Sequence, residues 1–377
     1  MYLEILKMFI SRILRITLAV LAAFYLVTGL AQAGSITDTE NRQVTVPDYP
    51  QRVLLGFYFE DFYAIAGPEA FDRVVAISRD AWAGWRPSQW SRYVAVTPRL
   101  EDLADVGEVD AGTFNIEVAI ASRPDVALLA AWQFRSLGDS VARLEAAGIP
   151  VVVVDFNAQT LEKHEKSALV IGRLMGSEAR AQQLVDEYKS AFNDVLARVK
   201  ASTETQGRKR VYIELGNKGA DTYGNSYGNT MWGKVVELAG GENIAAGKIE
   251  NWGPLNPEYI IASNPDVIII PGSAWLNRPK AVLAGFDVSA DTTLARLRPY
   301  TQRPGWPGMK AVQNGEVHTL YHGGARTLYD YAFLQYIAKR LHPEAFRDVD
   351  PVASLTGFYE RNLPIEAEGT FMIRFSD

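Results

Sequence analysis

Aromatic and cationic side chains that could bind a flat or anionic ligand follow several apolar runs of this sequence. Tyr and Trp offer large, stiff contact surfaces, Arg recognises planar groups of anionic oxygens, and His donates a hydrogen bond or binds a metal. Ten such residues lie just beyond predicted strands: Tyr58, Trp82, Trp85, Arg86, Trp132, Tyr223, Tyr227, Trp275, His322 and Arg326. Any one of them could instead be a loop residue that packs on its own domain. As a group, they favour a shared ligand cleft.

Motifs for other chemistry are weak. The segment GNTMWGKV at 228–235 nearly matches a phosphate-binding loop, but Val235 stands where a hydroxyl residue would hold magnesium. The sequence has no cysteine and no G-x-S-x-G segment, so it does not indicate a hydrolase nucleophile. None of the four histidines has the spacing of a zinc site. The sequence therefore predicts a binding protein, with no resident metal or cofactor and no enzymatic activity.

Strand-like and helical segments alternate around these candidates. Buried-strand runs such as VALLA at 126–130 and RVYIEL at 210–215 are each separated from the next by a helical segment. Residues from 160 to about 199 have helical periodicity only, with a break at Gly176. Such alternation predicts an α/β fold with mostly parallel sheets covered by helices, and ligands of open α/β sheets lie beyond the carboxyl ends of the strands.

One fifteen-residue segment occurs twice in similar form. NIEVAIASRPDVALL at 115–129 and NPEYIIASNPDVIII at 256–270 are identical at eight of fifteen positions. Asn115 and Asn256 are good helix N-caps, and each copy reads as a helix followed by a buried strand. Two copies are too few for a solenoid, so they predict the same unit in each of two similar lobes.

Each copy of the repeat carries one glutamate in the first helical turn, Glu117 and Glu258. A carboxylate there is stabilised by the helix dipole, which explains each residue by itself. The dipole does not explain why the pair recurs in matched places. The alternative is a two-point acidic contact for a basic partner, and the residues alone do not separate the two interpretations.

The N-terminus is typical of a secretory signal. Lys7, Arg12 and Arg15 precede an apolar run at 16–31, which ends in an Ala-x-Ala segment at 31–33. A retained membrane anchor is the alternative, but the run is shorter than the roughly twenty residues that span a bilayer. We expect export with cleavage, and the absence of cysteine excludes lipid attachment at the cleavage site.

Composition and charge limit the remaining classes. The chain has 377 residues, of which 48% are hydrophobic, and this suits two globular domains. Its formal net charge is −6 at pH 7, which makes nucleic acid an unsuitable partner. An anionic ligand therefore requires a local cluster of basic residues.

Several motifs together resemble the periplasmic substrate-binding proteins of ABC importers, in the class that serves ferric siderophores, haem and cobalamin. The resemblance covers nearly the whole chain after the signal segment. It is carried by the two repeat copies and by RQVTVP at 42–47, AGIPVVVVD at 147–155, ELAGGENIA at 237–245 and LQYIAKRLHPEAFRDVDP at 334–351.

The resemblance implies two α/β lobes bridged by one long helix, with the ligand between the lobes. The corresponding boundaries are a signal peptide at 1–33, an N-terminal lobe at 34–159, a bridging helix at 160–176 and a C-terminal lobe at 177–377. Family members dock on arginines of the membrane permease through one Glu per lobe, and those positions match Glu117 and Glu258 here. The expected protein is a soluble periplasmic monomer that delivers its ligand to an inner-membrane importer.

The sequence indicates the ligand less specifically than it indicates the family. Arg86 and Arg326, with Arg79, Arg135 and Arg278 nearby in sequence, suit an anionic ferric chelate, so a ferric siderophore is the expected ligand. Haem and cobalamin stay open, as does a protein that senses a chelate without transporting it. If the ligand is haem or cobalamin, His322 could be an axial metal ligand, although a hydrogen bond from the cleft wall is the favoured role.

Overall fold

The computed structural model describes residues 33–275 and 277–375, so residues 1–32 of the predicted signal peptide lie outside the described residues. The strands are β1 Ala33–Thr37, β2 Gln43–Pro47, β3 Val53–Leu55, β4 Val74–Ile77, β5 Ala104–Asp105, β6 Val126–Ala130, β7 Val151–Val154, β8 Arg210–Ile213, β9 Asn225–Tyr227, β10 Glu242–Asn243, β11 Trp252–Pro254, β12 Val267–Ile269, β13 Gly285–Phe286, β14 Val317–Leu320, β15 Gly369–Thr370 and β16 Met372–Arg374. The α-helices are α1 Phe59–Ala66, α2 Pro87–Val96, α3 Ile116–Ala121, α4 Ala131–Leu137, α5 Asp139–Ala146, α6 Leu161–Met175, α7 Glu178–Gln206, α8 Met231–Leu238, α9 Pro257–Ser263, α10 Ala290–Thr301, α11 Lys310–Gln313, α12 Tyr331–Leu341 and α13 Pro351–Asn362.

The N-terminal lobe is built on a five-stranded sheet in the order β5-β4-β3-β6-β7. All of its neighbouring strands are parallel. Strands β6 and β7 are runs of Val, Ala and Leu that are buried along their whole length, as expected for a sheet covered on both faces. The order of strands reverses between β3 and β6, so the loops that follow these two strands diverge and leave a crevice.

The C-terminal lobe is also built on a five-stranded sheet, in the order β10-β8-β12-β14-β16. Its strands are parallel except for β16, which pairs antiparallel with β14 at the sheet edge. Three antiparallel two-stranded ribbons complete the described strands. The predicted α/β fold with two mostly parallel sheets and a long helix is confirmed.

Two consecutive helices connect the sheets. Helix α6 begins at the cap Thr160, whose hydroxyl accepts a hydrogen bond from the backbone N–H of Lys163, 3.3 Å away. It ends at Gly176, which takes a left-handed conformation with φ of 72°. The 29-residue helix α7 then packs along α6. A side chain at Gly172 would overlap Ala181, so glycine allows this close packing.

Candidate functional site

Phe57, in the loop after β3, is the centre of an aromatic cluster. Its ring centroid lies 5.5 Å from that of Trp132, 5.2 Å from that of Tyr58 and 6.2 Å from that of Trp85. These side chains come from the segments that follow β3, β4 and β6, with Trp132 in the first turn of α4, and the carboxyl ends of these strands share one edge of the sheet. The edge therefore presents a largely apolar, stiff surface to the opposite lobe.

Two arginines from different lobes lie near this surface. The guanidinium carbon of Arg86 is 5.4 Å from the Phe57 ring centroid, and that of Arg326 is 5.0 Å from it. Arg326 is only 6% exposed, its Nε has no hydrogen-bond partner, and its Nη1 is 3.4 Å from the Met231 sulfur. Within residues 33–275 and 277–375, neither arginine forms an ion pair with a carboxylate. Two cations thus face the crevice without counter-charge in contact.

The charge of Arg86 affects the protonation of Arg326. Burial lowers the pKa of Arg326 to about 10, and the charge of Arg86 adds to this effect. Burial also lowers the pKa of Arg86, but the neighbouring Tyr321 and Tyr329 and the carboxylate of Glu60 raise it, so the net shift is upward. Both guanidinium groups are charged at neutral pH, and an anion between them would relieve their mutual repulsion.

His322 faces the same crevice in a neutral form. Its ring centroid lies 5.8 Å from that of Trp275 and 6.4 Å from that of Tyr227. The indole Nε1–H of Trp232 donates a hydrogen bond to its Nδ1, at 3.0 Å. Burial, then Arg326 and Arg86, hold the pKa of His322 well below its ordinary value. The imidazole therefore carries no charge at pH 7.

Direct contacts hold the two lobes together around the cleft. The Thr230 hydroxyl of the C-terminal lobe donates to the Asn157 carbonyl of the N-terminal lobe at 3.2 Å. Within the N-terminal lobe, the Tyr58 hydroxyl donates to Asn157 Oδ1 at 2.6 Å. On the other side, the Ser273 hydroxyl donates to the carbonyl of Trp85 at 3.0 Å. Tyr58 is therefore committed to a protein contact through its hydroxyl and can offer a ligand only its ring.

The structure brings eight of the ten predicted residues together, and it gives Trp82 and Tyr223 other neighbours. Trp82 is 8% exposed and packs in the N-terminal core against Trp90. The Tyr223 hydroxyl accepts a hydrogen bond from Trp306 Nε1 at 2.9 Å, and the Arg303 guanidinium lies 4.4 Å from its ring. Both residues follow strands, but their side chains turn into the core of their own lobes.

Sequence reasoning also missed residues of the cleft. Phe57 lies two residues after β3, and Tyr321 directly follows β14, so their positions were a usable signal. The Tyr321 hydroxyl is buried without a hydrogen-bond partner, and burial raises its pKa while the charges of Arg86 and Arg326 oppose the rise. Asp110 also interacts with Arg326, and burial raises its pKa while this arginine opposes the rise. Neither Asp110 nor Tyr321 stands out by residue type alone.

Two of the three additional arginines have structural partners, and the third, Arg278, is exposed. Arg79 donates to the carbonyls of Glu101 and Leu103 in its own lobe. Arg135 is exposed and pairs with Glu40 at 3.1 Å. Among the arginines weighed in the sequence analysis, Arg86 and Arg326 are thus the pair that the cleft brings together.

Glu117 and Glu258 occupy equivalent, exposed places on the two lobes. The Oδ1 atom of Asn115 caps α3 by accepting from the backbone N–H groups of Glu117 and Val118, and Asn256 caps α9 in the same way. The Glu117 carboxylate is 73% exposed and pairs with Arg143. The Glu258 carboxylate has no ion pair or hydrogen bond to any side chain that the structure describes.

The described residues contain neither a metal-binding cluster nor a membrane-spanning helix. In the described part of the chain, no group of three or more His, Cys, Asp or Glu side chains could hold a metal ion. No helix there is long and apolar enough to cross a membrane.

Two α/β lobes with a cationic, aromatic cleft between them define a solute-binding protein. The chain belongs to the periplasmic binding protein family, whose model matches residues 54–322. The predicted family membership is confirmed. Proteins of this family are binding components of ABC importers, which deliver a solute to a permease, and they are not enzymes.

Individual relatives support the fold and differ in ligand. A TroA-like periplasmic binding protein, FepB from Veillonella parvula, superposes with a TM-score of 0.83 at 32% identity, covering 91% of this chain and 99% of that one. The molybdate-binding protein MolA of Haemophilus influenzae is 23% identical over 86% of this chain and 90% of its own length. A cobalamin-binding protein of Halobacterium salinarum is 30% identical over 63% of this chain and 58% of its own length.

Proposed function

We propose that this protein captures a ferric siderophore, as an anionic metal chelate, in the cleft between its lobes and delivers it to an ABC permease. The observation that carries the proposal is the pair of cations, Arg86 and Arg326, that flank Phe57 from opposite lobes without a carboxylate partner. Arg326 is buried and Arg86 is partly buried. Cations withdrawn from water without counter-charge are costly, so the site is best explained by an anionic ligand that completes it.

The surrounding side chains suit a chelate rather than a bare ion. The ligand-binding residues are proposed to be Tyr58, Trp85, Arg86, Trp132, Tyr227, Trp275, His322 and Arg326. Guanidinium groups pair with carboxylate or catecholate oxygens, and the rings of Phe57 and its neighbours supply area for flat organic parts. The chelator would keep its own metal, since the described side chains offer no cluster of metal ligands.

Binding is tested by quenching of tryptophan fluorescence. The purified protein is titrated with ferric siderophores, the metal-free siderophores, molybdate, haem, cobalamin and free metal ions. Trp85, Trp132 and Trp275 lie around the cleft, so a coloured ferric chelate should quench them with one-to-one saturation. Saturation by molybdate, haem or cobalamin alone would refute the siderophore assignment and leave the family membership unchanged.

Arginine variants locate the site. Arg86→Ala and Arg326→Ala should each weaken binding of the anionic chelate by roughly 10- to 100-fold, because a hydrogen bond to a charged group contributes about 1.5–3 kcal/mol. Arg135→Ala is the matched control, since it removes an exposed arginine that pairs with Glu40. Equal affinities in all three variants would show that the ligand binds elsewhere.

Delivery to the permease is proposed to use Glu117 and Glu258. Both are exposed first-turn residues of matching helices, so they present one carboxylate per lobe. The double variant Glu117→Gln, Glu258→Gln should abolish uptake by cells while leaving ligand affinity intact. Glu344→Gln, at an exposed position of the C-terminal lobe, is the control. A loss of affinity, or normal uptake, would reject the docking role.

Export to the periplasm as a monomer completes the proposal. The charge and hydropathy of the signal segment at 1–33 support it, as do relatives described as periplasmic. Fractionation of cells that express the full chain should place a shortened form in the periplasm, and light scattering should give the mass of one chain. A full-length product that stays with the membrane would overturn the cleavage.

A further inference from the structure

The bond between Trp232 and His322 determines where the imidazole carries its proton. Tryptophan nitrogen is a hydrogen-bond donor and cannot accept, so the His322 Nδ1 that lies 3.0 Å away must offer a lone pair. Trp232 is fully buried, and a protonated Nδ1 would leave its N–H group facing another donor in the protein interior. The geometry thus excludes the Nδ1–H tautomer and the charged form together.

The opposite nitrogen must therefore carry the proton. A neutral imidazole holds one proton, and with Nδ1 unprotonated it is on Nε2. The pKa of His322, lowered by burial and by Arg326 and Arg86, agrees with a neutral ring. Within the described residues, Nε2 has no hydrogen-bond partner, so its N–H group is available in the crevice.

We infer that Trp232 is a positioning residue that fixes His322 as a neutral hydrogen-bond donor, so that this histidine binds an oxygen of the ligand and does not coordinate the ligand's metal. The inference rests on the proposed function and deepens it by naming a specificity rule. The cleft accepts a metal whose coordination is already filled by anionic oxygens. It disfavours a ligand with a vacant axial position, such as ferric haem.

The neighbouring groups give the same rule. Arg86 and Arg326 can only donate, and the Tyr321 hydroxyl is buried without a partner. A His322 nitrogen that acted as a metal ligand would need its lone pair on Nε2, which would place a proton on Nδ1 against the Trp232 N–H. Metal coordination thus costs the protein a buried hydrogen bond, whereas donation to an oxygen costs none.

The tautomer is measured without any ligand, by long-range proton–nitrogen correlation NMR on uniformly ¹⁵N-labelled protein at pH 7. His322→Gln assigns the signals, because it removes one of four histidines. We expect the Nε2–H pattern for His322. In Trp232→Phe we expect the two tautomers to mix, whereas Trp306→Phe is the matched control. Trp306 is also fully buried, but its N–H donates to Tyr223.

An Nδ1–H or charged His322 in the unsubstituted protein would overturn the inference, and that measurement needs only the assignment variant His322→Gln and not a folded Trp232→Phe protein. An unchanged tautomer in a folded Trp232→Phe protein would reject the role of Trp232. Because no ligand is present, this result is separate from the siderophore titration. If no ferric siderophore binds while the Nε2–H form is observed, the proposed function fails and the state of His322 stands.

Ligand selection gives a second readout. With ferric haem added to the unsubstituted protein, we expect no absorption bands of histidine-ligated iron. Such bands, if lost in His322→Gln, would contradict the inference. For a ferric siderophore that binds, His322→Gln keeps a donor and should change affinity less than about 3-fold, whereas His322→Leu should weaken it about 10-fold. Equal losses in both variants would show that the donor is not used.

Discussion

Glu60 on α1 connects the two lobes behind the cleft, and replacing it should destabilise the whole protein. The buried carboxylate accepts hydrogen bonds from Tyr93 at 2.8 Å, Tyr359 at 2.9 Å and Tyr329 at 2.6 Å. Tyr93 belongs to the N-terminal lobe, and the other two tyrosines come from the C-terminal lobe. Burial, followed by the charge of Glu60, raises the pKa of Tyr93 and Tyr329 well above the ordinary value, so they donate at every pH of interest.

The expected magnitude follows from these contacts. Hydrogen bonds to a charged group contribute about 1.5–3 kcal/mol each, and a buried hydroxyl left without a partner costs about 1–3 kcal/mol. In Glu60→Ala, Tyr359 and Tyr329 can still bond to each other, because their oxygens are already 3.1 Å apart. At least one tyrosine then lacks a partner and a cavity remains, so the loss of unfolding free energy should be about 3–5 kcal/mol. Glu60→Gln keeps the volume and one acceptor, and should lose about 1–3 kcal/mol.

Urea unfolding at pH 7, followed by tryptophan fluorescence and far-UV circular dichroism, measures this difference. Glu344→Gln is the control, because its side chain is 80% exposed and pairs with the exposed Arg347. We expect the control to change the unfolding free energy by less than about 0.5 kcal/mol. A Glu60→Ala protein as stable as the control would refute the reasoning, because three buried hydrogen bonds cannot be lost without effect.

Two further predictions concern buried charges. Burial raises the pKa of Glu108 from 4.5 to about 7, so the stability that this group contributes is full below pH 4.5 and is lost as the pH rises to about 7. Glu108→Gln should remove this pH dependence, and above pH 7 its free energy of unfolding should exceed that of the unsubstituted protein by about 3 kcal/mol. Urea unfolding of both proteins from pH 4.5 to 8 measures the difference, and parallel curves of unfolding free energy against pH would contradict the prediction. Arg303 binds Glu214 through two short bonds, of 2.6 and 2.8 Å, in the C-terminal core. Arg303→Met should cost about 3–5 kcal/mol by leaving a buried carboxylate unpaired, and adding Glu214→Gln should recover part of it; no recovery would mean that packing, and not charge, causes the loss.

The fold was predictable because its signals are local. Each copy of the repeat combines an Asn cap, a short helix and an apolar strand, and all three can be read from neighbouring residues. Strand runs such as that of β7 are apolar throughout, which indicates parallel strands covered on both faces. The general place of the cleft follows, because parallel strands put their carboxyl ends at one edge.

The direction of a side chain at that edge was not predictable. Tyr58 and Phe57 are adjacent, yet Phe57 is at the centre of the aromatic cluster and the Tyr58 hydroxyl turns to Asn157. Trp82 and Tyr223 follow strands as the cleft residues do, but they pack into cores. Position after a strand determines which end of the sheet a residue occupies, and loop conformation then decides where its side chain points.

The partners of the cleft residues also could not be predicted from the sequence, because they are distant in the chain. Trp232 and His322 are separated by 90 residues, and no periodicity links them. Trp232 lies inside the segment that resembles a phosphate-binding loop, and in the structure its indole supports the cleft. When a residue acts through another side chain, the residues next to it in sequence carry no pattern that predicts this role.

The contacts between the lobes bear on how the cleft binds. Arg92 of the N-terminal lobe pairs with Asp287 at 2.6 Å and Glu368 at 2.8 Å in the C-terminal lobe, on the outside of the molecule. Glu60 and its tyrosines join the same lobes in the interior, and a bond from Ser273 to Trp85 joins them at the cleft itself. Contacts between the lobes at the surface, in the interior and at the cleft resist a wide opening of the lobes. Binding then needs little ordering of the protein, so the free energy of ligand contacts goes into affinity rather than into closure.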